Sequence, residues 1–158
     1  MVLSEYQRLK DAIKDAFETF PPPVITKGLE LSDDQYEDTI AFRGKKWTEL
    51  TVEDFHNQMY ILGSVPDRCF PYYLGAHMHA SMVEGIFFSD AFGMIFDNPL
   101  LSSQRKRKPS FASMIIVPYL SGKQLDVFDE FLKYSAPKLP EYHRSIVEYT
   151  RKKISEAR

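Results

Sequence analysis

One short stretch of the chain gathers the residue types that most often do chemistry. Residues 69–82 contain the only cysteine, Cys69, and two of the four histidines, His77 and His79. A cysteine thiolate is a nucleophile and a histidine can act as its general base, so one interpretation is a small hydrolase. Two histidines two positions apart could instead bind a metal ion, if they faced the same side of a strand or an irregular turn.

A helical conformation would separate these groups, and helix is the stronger prediction for this stretch. Side chains two positions apart on a helix point about 200° apart, so His77 and His79 would not share one metal. Eight residues along a helix span about 12 Å, which is too far for His77 to take a proton directly from Cys69. The remaining histidines, His56 and His143, have no spacing that brings them to the same place. We therefore predict no catalytic residues, no metal site and no cofactor, and a buried thiol at Cys69.

A second candidate functional region is an acidic stretch, which would be a binding surface for a partner and not a catalytic site. Five carboxylates fall within nine residues, with no basic residue between them: Glu30, Asp33, Asp34, Glu37 and Asp38. Such a run is usually a solvated helix face, but it also suits a basic protein partner, because opposite charge accelerates association. Residues 1–64 carry 12 acidic and 7 basic side chains, a net −5, whereas residues 65–158 carry 10 and 13, a net +3.

A basic run, Arg-Lys-Arg-Lys at 105–108, is the corresponding candidate for nucleic-acid binding. It could contact phosphates while Tyr72 or Tyr73 stacks on a base. The run is short and the formal net charge of the chain is −2, which disfavours a nucleic-acid partner. The sequence also has no glycine-rich phosphate loop and no serine nucleophile elbow.

The bulk composition indicates one domain, residues 1–158, large enough to bury a continuous core. Twelve phenylalanines, nine tyrosines and one tryptophan should dominate the packing. A single cysteine excludes an intramolecular disulfide and suits a reducing compartment. The N-terminal residues lack the pattern of a signal peptide, and no apolar stretch approaches the roughly 18 residues of a membrane helix. We therefore expect a cytoplasmic protein with no membrane partner.

Three serines that are each followed three residues later by glutamine have the capping-box form: Ser4, Ser32 and Ser121. With the apolar spacing that follows them, they predict helices over about 5–19, 33–42 and 122–134. Further helices are predicted over about 51–59, over about 65–83 with Ser64 as N-cap and a bend near Pro71, and from about 141 onwards. Trp47 is expected in the core.

Other boundaries are set by prolines and by branched residues. The three prolines at 21–23 should end the first helix, because proline disfavours helical geometry in the preceding residue and has no amide donor. Residues 86–96 are apolar on nearly every side, which predicts a buried element. Residues 111–119 are the best strand candidate, confined to a strand end or edge by Pro118. We predict a mainly α fold, with α+β as the alternative: five to seven helices and a small strand element.

The stretch Phe-Pro-Tyr-Tyr-Leu-Gly-Ala-His-Met at 70–78 resembles a family of small, mostly bacterial proteins of unknown function. The central signature of that family is approximately Phe-Arg-Tyr-Tyr-Leu-Pro-Ala-Tyr-Met. The flanking segments at 13–22, 47–55, 111–119 and 124–134 are compatible, so the similarity covers most of residues 10–135. The matches within the signature are Phe70, Tyr72, Tyr73, Leu74, Ala76 and Met78.

The chain departs from this family at Pro71, Gly75, His77 and His79, where the family has arginine, proline, aromatic and aliphatic residues. The resemblance implies a fold and not an activity. It also implies that the histidine positions belong to an apolar core helix. Some proteins of this kind look like immunity or accessory proteins.

We therefore expect a non-enzymatic interaction protein, in particular an immunity protein that binds and neutralises a cognate bacterial toxin through the acidic stretch. One alternative is a small hydrolase with a site near Cys69, His77 and His79, which would require a polar, solvent-connected pocket converging on them. The other is a nucleic-acid-binding accessory protein that uses residues 105–108. The oligomeric state is left open.

Overall fold

The computed structural model describes residues 3–27, 31–58, 61–87 and 120–156, and these are mainly helical, as predicted. Within these ranges, three short 3₁₀ turns occur between the helices: Trp47–Glu49, Asp67–Cys69 and Ala136–Lys138. The predicted strand at 111–119 and residues 88–96 of the apolar run lie outside the described residues. The α-helices of the described residues are α1 (Glu5–Phe17), α2 (Asp33–Asp38), α3 (Val52–Asn57), α4 (Ile61–Ser64), α5 (Phe70–Glu84), α6 (Gly122–Ser135) and α7 (Glu141–Glu156).

Side-chain caps fix where several helices begin. The hydroxyl of Ser4 accepts a hydrogen bond from the backbone N–H of Gln7 at 3.2 Å, at the start of α1. Ser32 and Ser121 form complete capping boxes at the starts of α2 and α6. These bonds satisfy amide groups that have no partner inside the helix, so the three predicted starts are confirmed.

Two helices end earlier than predicted, and turns replace the last predicted residues of α2. Helix α1 ends at Phe17 and α2 at Asp38, shorter than expected by two and about four residues. Residues 39–44 form turns that close at Gly44, whose φ of 72° is in the left-handed region that glycine adopts readily. The Phe20–Pro21 peptide bond in the loop after α1 is cis.

The prediction of one bent helix over 65–83 was wrong. Ser64 is the last residue of α4, a 3₁₀ turn covers Asp67–Cys69, and α5 begins at Phe70. Pro71 therefore lies in the first turn of α5, where its missing N–H costs no hydrogen bond. It starts a helix and does not bend one.

Helix α5 is the centre of the described structure. Eleven of its fifteen residues are buried, and it packs mainly against α1, which packs in turn against α6. Gly75 makes the approach of α1 possible, because a Cβ atom there would lie 2.2 Å from Cβ of Phe17 and 2.7 Å from Cζ2 of Trp47. Trp47 is 1% exposed, as predicted for a core residue, and its Nε1–H donates to the carbonyl of Tyr72 at 3.2 Å.

No helix of the described residues is both long and apolar enough to cross a membrane.

Candidate functional site

The two histidines of α5 point into different surroundings. The ring of His77 is 1% exposed and meets the ring of Phe55 edge-on, with centroids 4.6 Å apart. His79 is half-buried and its ring lies 5.5 Å from that of Trp47. The predicted separation of the pair is therefore confirmed, since α5 is helical through both positions.

Burial sets the protonation of both rings. Loss of solvation lowers the pKa of His77 to about 3, so this imidazole is neutral at ordinary pH. Burial also lowers the pKa of His79, and the positive charges of Lys14 and Lys10 on α1 act in the same direction. Neutral histidines can bind metals, yet among the described residues no group of three His, Cys, Asp or Glu side chains is placed to hold an ion.

Cys69 lies just before α5 and is fully buried, as expected for a structural thiol. Its sulfur accepts a hydrogen bond from Nη1 of Arg68 at 3.2 Å. The same guanidinium donates from Nη2 to the carbonyl of Val24 at 2.6 Å, so it ties the loop after α1 to the start of α5. A thiol enclosed in this way is inaccessible to a substrate.

The tyrosines of the motif also serve packing. Tyr72 and Tyr73 donate hydrogen bonds from their hydroxyls to the carbonyls of Lys45 at 3.1 Å and Phe42 at 3.4 Å. Burial raises the pKa of Tyr72 to about 12, with further contributions from the charges of nearby acids, and burial raises that of Tyr73 as well. Both hydroxyls bond to the connection between α2 and α3, and both rings are buried, so neither ring is presented for stacking on a base.

Two of the open hollows on the described surface are formed without Cys69 and without any histidine. One, of about 390 Å³, lies along α1 between four charged side chains: Asp11, Lys14, Asp15 and Glu18. The other, of about 380 Å³, is mostly aromatic and apolar: Tyr6, Met82, Gly85, Phe87, Tyr134 and Lys138. The pocket that the hydrolase hypothesis requires is thus not found in these two places.

The remaining histidines, the carboxylate of Glu84 and the basic run have separate locations. His56 is exposed on α3 and His143 is half-buried on α7. Glu84, at the end of α5, accepts a 2.7 Å hydrogen bond from the backbone N–H of Val52 and so caps α3. The basic run at 105–108 lies outside the described residues.

The acidic stretch predicted from the sequence lies on one short, exposed helix, α2. Helix α2 buries none of its residues, and Asp33, Asp34 and Glu37 are exposed while Asp38 is half-buried. Glu30, the fifth predicted partner-binding residue, lies outside the described residues. The first two acids occupy the first turn of α2, where the helix dipole favours negative charge.

Two contacts connect Tyr36 of this acidic helix to the turns that follow it. The guanidinium of Arg43 stacks 4.0 Å above the ring of Tyr36. The hydroxyl of Thr39, which is fully buried, donates to the carbonyl of Tyr36 at 2.7 Å. Lys27 lies 3.9 Å from the carboxylate of Asp33, with both side chains largely in solvent, so this pair contributes little energy.

An exposed apolar side chain adjoins the acids. Ile40 follows α2 by two residues, is 55% exposed, and its N–H donates to the carbonyl of Glu37 at 3.2 Å. Sequence reasoning missed Ile40, because a single isoleucine after a helix gives no indication of whether it faces the core. It also missed the exposure of Phe20 and Val24 beside the prolines, although the proline run itself marked that loop.

No protein-family model, curated protein or solved structure matches this chain. The resemblance of residues 70–78 to a bacterial family therefore stays a prediction.

Proposed function

We propose that this protein is a non-enzymatic interaction protein that binds a basic protein partner through α2. The observation that carries the proposal is the combination of α2, which buries no residue, with the exposed Ile40 directly after it. Protein interfaces commonly have an apolar centre and a polar rim, and this surface offers both.

The acids of α2 favour a partner with a lysine- or arginine-rich surface. Asp33, Asp34 and Glu37 project into solvent within two helical turns, and α2 contains no basic residue. Opposite charge on the partner would raise the association rate and favour one orientation. Binding at this surface should therefore weaken as salt rises, because exposed charges are screened.

A bacterial immunity protein that neutralises a cognate toxin is the specific form of this proposal that we favour. A toxin that acts on nucleic acid needs a basic surface, and an acidic partner can cover that surface. The resemblance of residues 70–78 to bacterial proteins of immunity or accessory type supports the same class.

The test compares two variants of equal net charge. One is the triple variant Asp33→Asn, Asp34→Asn, Glu37→Gln, and the matched control is Glu130→Gln, Glu141→Gln, Glu148→Gln, whose acids are exposed on α6 and α7. Each variant and the wild type are immobilised and incubated with lysate of the source cells at low salt. A basic protein retained by the wild type and the control, but lost by the α2 variant, is then purified and its activity measured with and without this chain.

Inhibition of the captured protein by the wild type and the control, but not by the α2 variant, is the expected result. Equal capture by all three proteins would show that α2 is not the contact. Capture of a basic protein without inhibition of its activity would support binding through α2 but would exclude a role in neutralising a toxin.

A further inference from the structure

The aromatic hollow of about 380 Å³ at the end of α5 is built from distant parts of the chain. Its lining residues come from α1, from the end of α5 and the residues after it, from α6, and from the 3₁₀ turn that follows α6: Tyr6, Met82, Gly85, Phe87, Tyr134 and Lys138. Sites for small molecules usually have volumes of about 300–1,000 Å³. The hollow therefore has the size of a ligand site, and the folding of the chain is what assembles it.

The end of α5 leaves this space open. Gly85 is the C-cap of α5, with a left-handed φ of 71°, and a Cβ atom on it would meet no heavy atom within 4 Å. The chain turns there, and the ring of Phe87 packs against α6. Its centroid lies 5.8 Å from that of Tyr134 and 6.2 Å from that of Phe131. The helix end thus forms one side of the hollow, and packed aromatic rings form another.

An ammonium group is held at the aromatic side. Nζ of Lys138 lies 4.0 Å from the ring centroid of Tyr134 and 5.6 Å from that of Phe87. It also donates a 3.4 Å hydrogen bond to the carbonyl of Tyr134. An ammonium has three N–H donors, so the group can bond to a ligand as well. The rings therefore position a cation beside an apolar surface.

The charge of the hollow selects for an anion. Lys138 carries the only formal charge among the six lining residues. Lys10 of α1 adds a second positive charge, with Nζ 5.5 Å from the ring centroid of Tyr6. A cationic ligand would be repelled by both lysines and would compete with Lys138 for the faces of the rings. The lining therefore disfavours a methylated ammonium, although aromatic rings are its usual surroundings.

We propose that this hollow binds a small aromatic carboxylate. The ring of the ligand packs against Tyr6, Met82 and Phe87, and its carboxylate pairs with the ammonium of Lys138. Because the side chain of Lys138 is exposed, the ion pair contributes modestly and the buried ring supplies most of the affinity. None of the lining residues belongs to α2, so this site is independent of the proposed function.

The test is an NMR titration of the ¹⁵N-labelled full chain at pH 7 and low salt. Three probes share one ring system and differ in charge: 2-naphthoate, 2-naphthamide and 2-naphthylmethylammonium. We expect 2-naphthoate to give saturable shifts centred on the amides of Gly85, Phe87 and Lys138. The neutral amide should bind at least about threefold more weakly, and the cation more weakly still, because each loses or reverses the attraction to Lys138.

A charge variant tests the assigned contact. Lys138→Gln neutralises an exposed side chain, so the fold should be preserved. It should weaken the binding of 2-naphthoate by about threefold and leave that of 2-naphthamide unchanged. Lys133→Gln removes an exposed positive charge of α6 that does not line the hollow, and it should leave the binding of both probes unchanged.

Four results would overturn the proposal. The first is that 2-naphthoate causes no shifts at any concentration up to its solubility, and the second is that its shifts centre on other residues. The third is that the cationic probe binds as tightly as the carboxylate. The fourth is that Lys138→Gln and Lys133→Gln change the affinity for 2-naphthoate equally.

Discussion

Helices α5 and α2 represent opposite uses of a helix in one small protein. Helix α5 buries eleven of fifteen residues, whereas α2 buries none of its six. The first carries the histidines and tyrosines that resemble an active site, and the second carries acids that resemble an ordinary solvated surface. The difference shows that chemically versatile side chains are poor indicators of a site when their helix is enclosed on nearly every side.

Enclosure changes what those side chains can do. The imidazole of His77 lies against Phe55, and the hydroxyls of Tyr72 and Tyr73 bond to backbone carbonyls. The two tyrosine hydroxyls thereby satisfy backbone carbonyls inside the core, and the imidazole contributes to its packing. The carboxylates Asp33 and Asp34, by contrast, remain available to a partner.

The largest expected effect comes from the closest contact of α5. Gly75→Ala would place a methyl group 2.2 Å from Cβ of Phe17, so α1 must move away. We expect a loss of about 3 kcal/mol in the free energy of unfolding, measured by urea denaturation. Gly122→Ala is the control, because its added Cβ meets no atom within 4 Å. Equal stability of the two variants would contradict the close packing of α1 on α5.

The buried imidazole of His77 should make stability depend on pH. Its pKa is lowered to about 3 in the folded state, against an ordinary value near 6.5, so the unfolded chain binds a proton that the folded chain does not. Its contribution is fully present above pH 6.5 and is lost as pH falls below it. Between pH 7 and pH 5 this amounts to about 2 kcal/mol.

The measurement for His77 is urea denaturation at several pH values between 7 and 5. His77→Leu should show a weaker loss of stability on acidification than the wild type, whatever its stability at pH 7. His56→Gln, which removes an exposed histidine, should keep the slope of the wild type. Identical slopes for His77→Leu and the wild type would mean that His77 is not buried in neutral form.

A smaller effect is expected where α5 meets α3. Glu84→Ala removes the carboxylate that accepts the 2.7 Å hydrogen bond from the N–H of Val52. We expect a loss of about 1 kcal/mol, typical of a helix cap. Glu130→Ala, an exposed acid of α6, serves as the control. Hydrogen exchange should show faster exchange in α3 for the first variant alone.

The smallest effect is expected in α2. The triple variant Asp33→Asn, Asp34→Asn, Glu37→Gln should change stability by no more than about 0.5 kcal/mol per site, because surface substitutions away from packed groups rarely cost more. Thermal unfolding monitored by circular dichroism checks this. A large loss would mean that these acids stabilise the fold, and the contrast between α2 and α5 would then be reduced.

Helix starts were predictable because they depend on local chemistry. Ser4, Ser32 and Ser121 cap their helices through atoms three residues away, and sequence spacing alone specifies such contacts. The turns that follow α2 were not predicted, since several weak local preferences compete there. The start of α5 at Phe70 was missed for the opposite reason: Pro71 fits either a bend or a first turn, and only the packing decides.

Contacts between segments that are distant in the sequence could not be predicted from sequence patterns. A helix enclosed on all sides has no apolar stripe, so the residues of α5 gave no indication of which face meets α1 or where Gly75 would lie. The separation of His77 and His79 was predicted because it follows from helical geometry. The burial of one and the half-burial of the other depend on Phe55 and Trp47, which are distant in sequence.

The position of Trp47 also provides a spectroscopic probe. It is the only tryptophan, it is buried against His79, and its indole N–H bonds to the carbonyl of Tyr72. All indole emission therefore arises from the junction of α1 and α5. A red shift of that emission reports the opening of this junction, so fluorescence can follow the unfolding of the core without any added label.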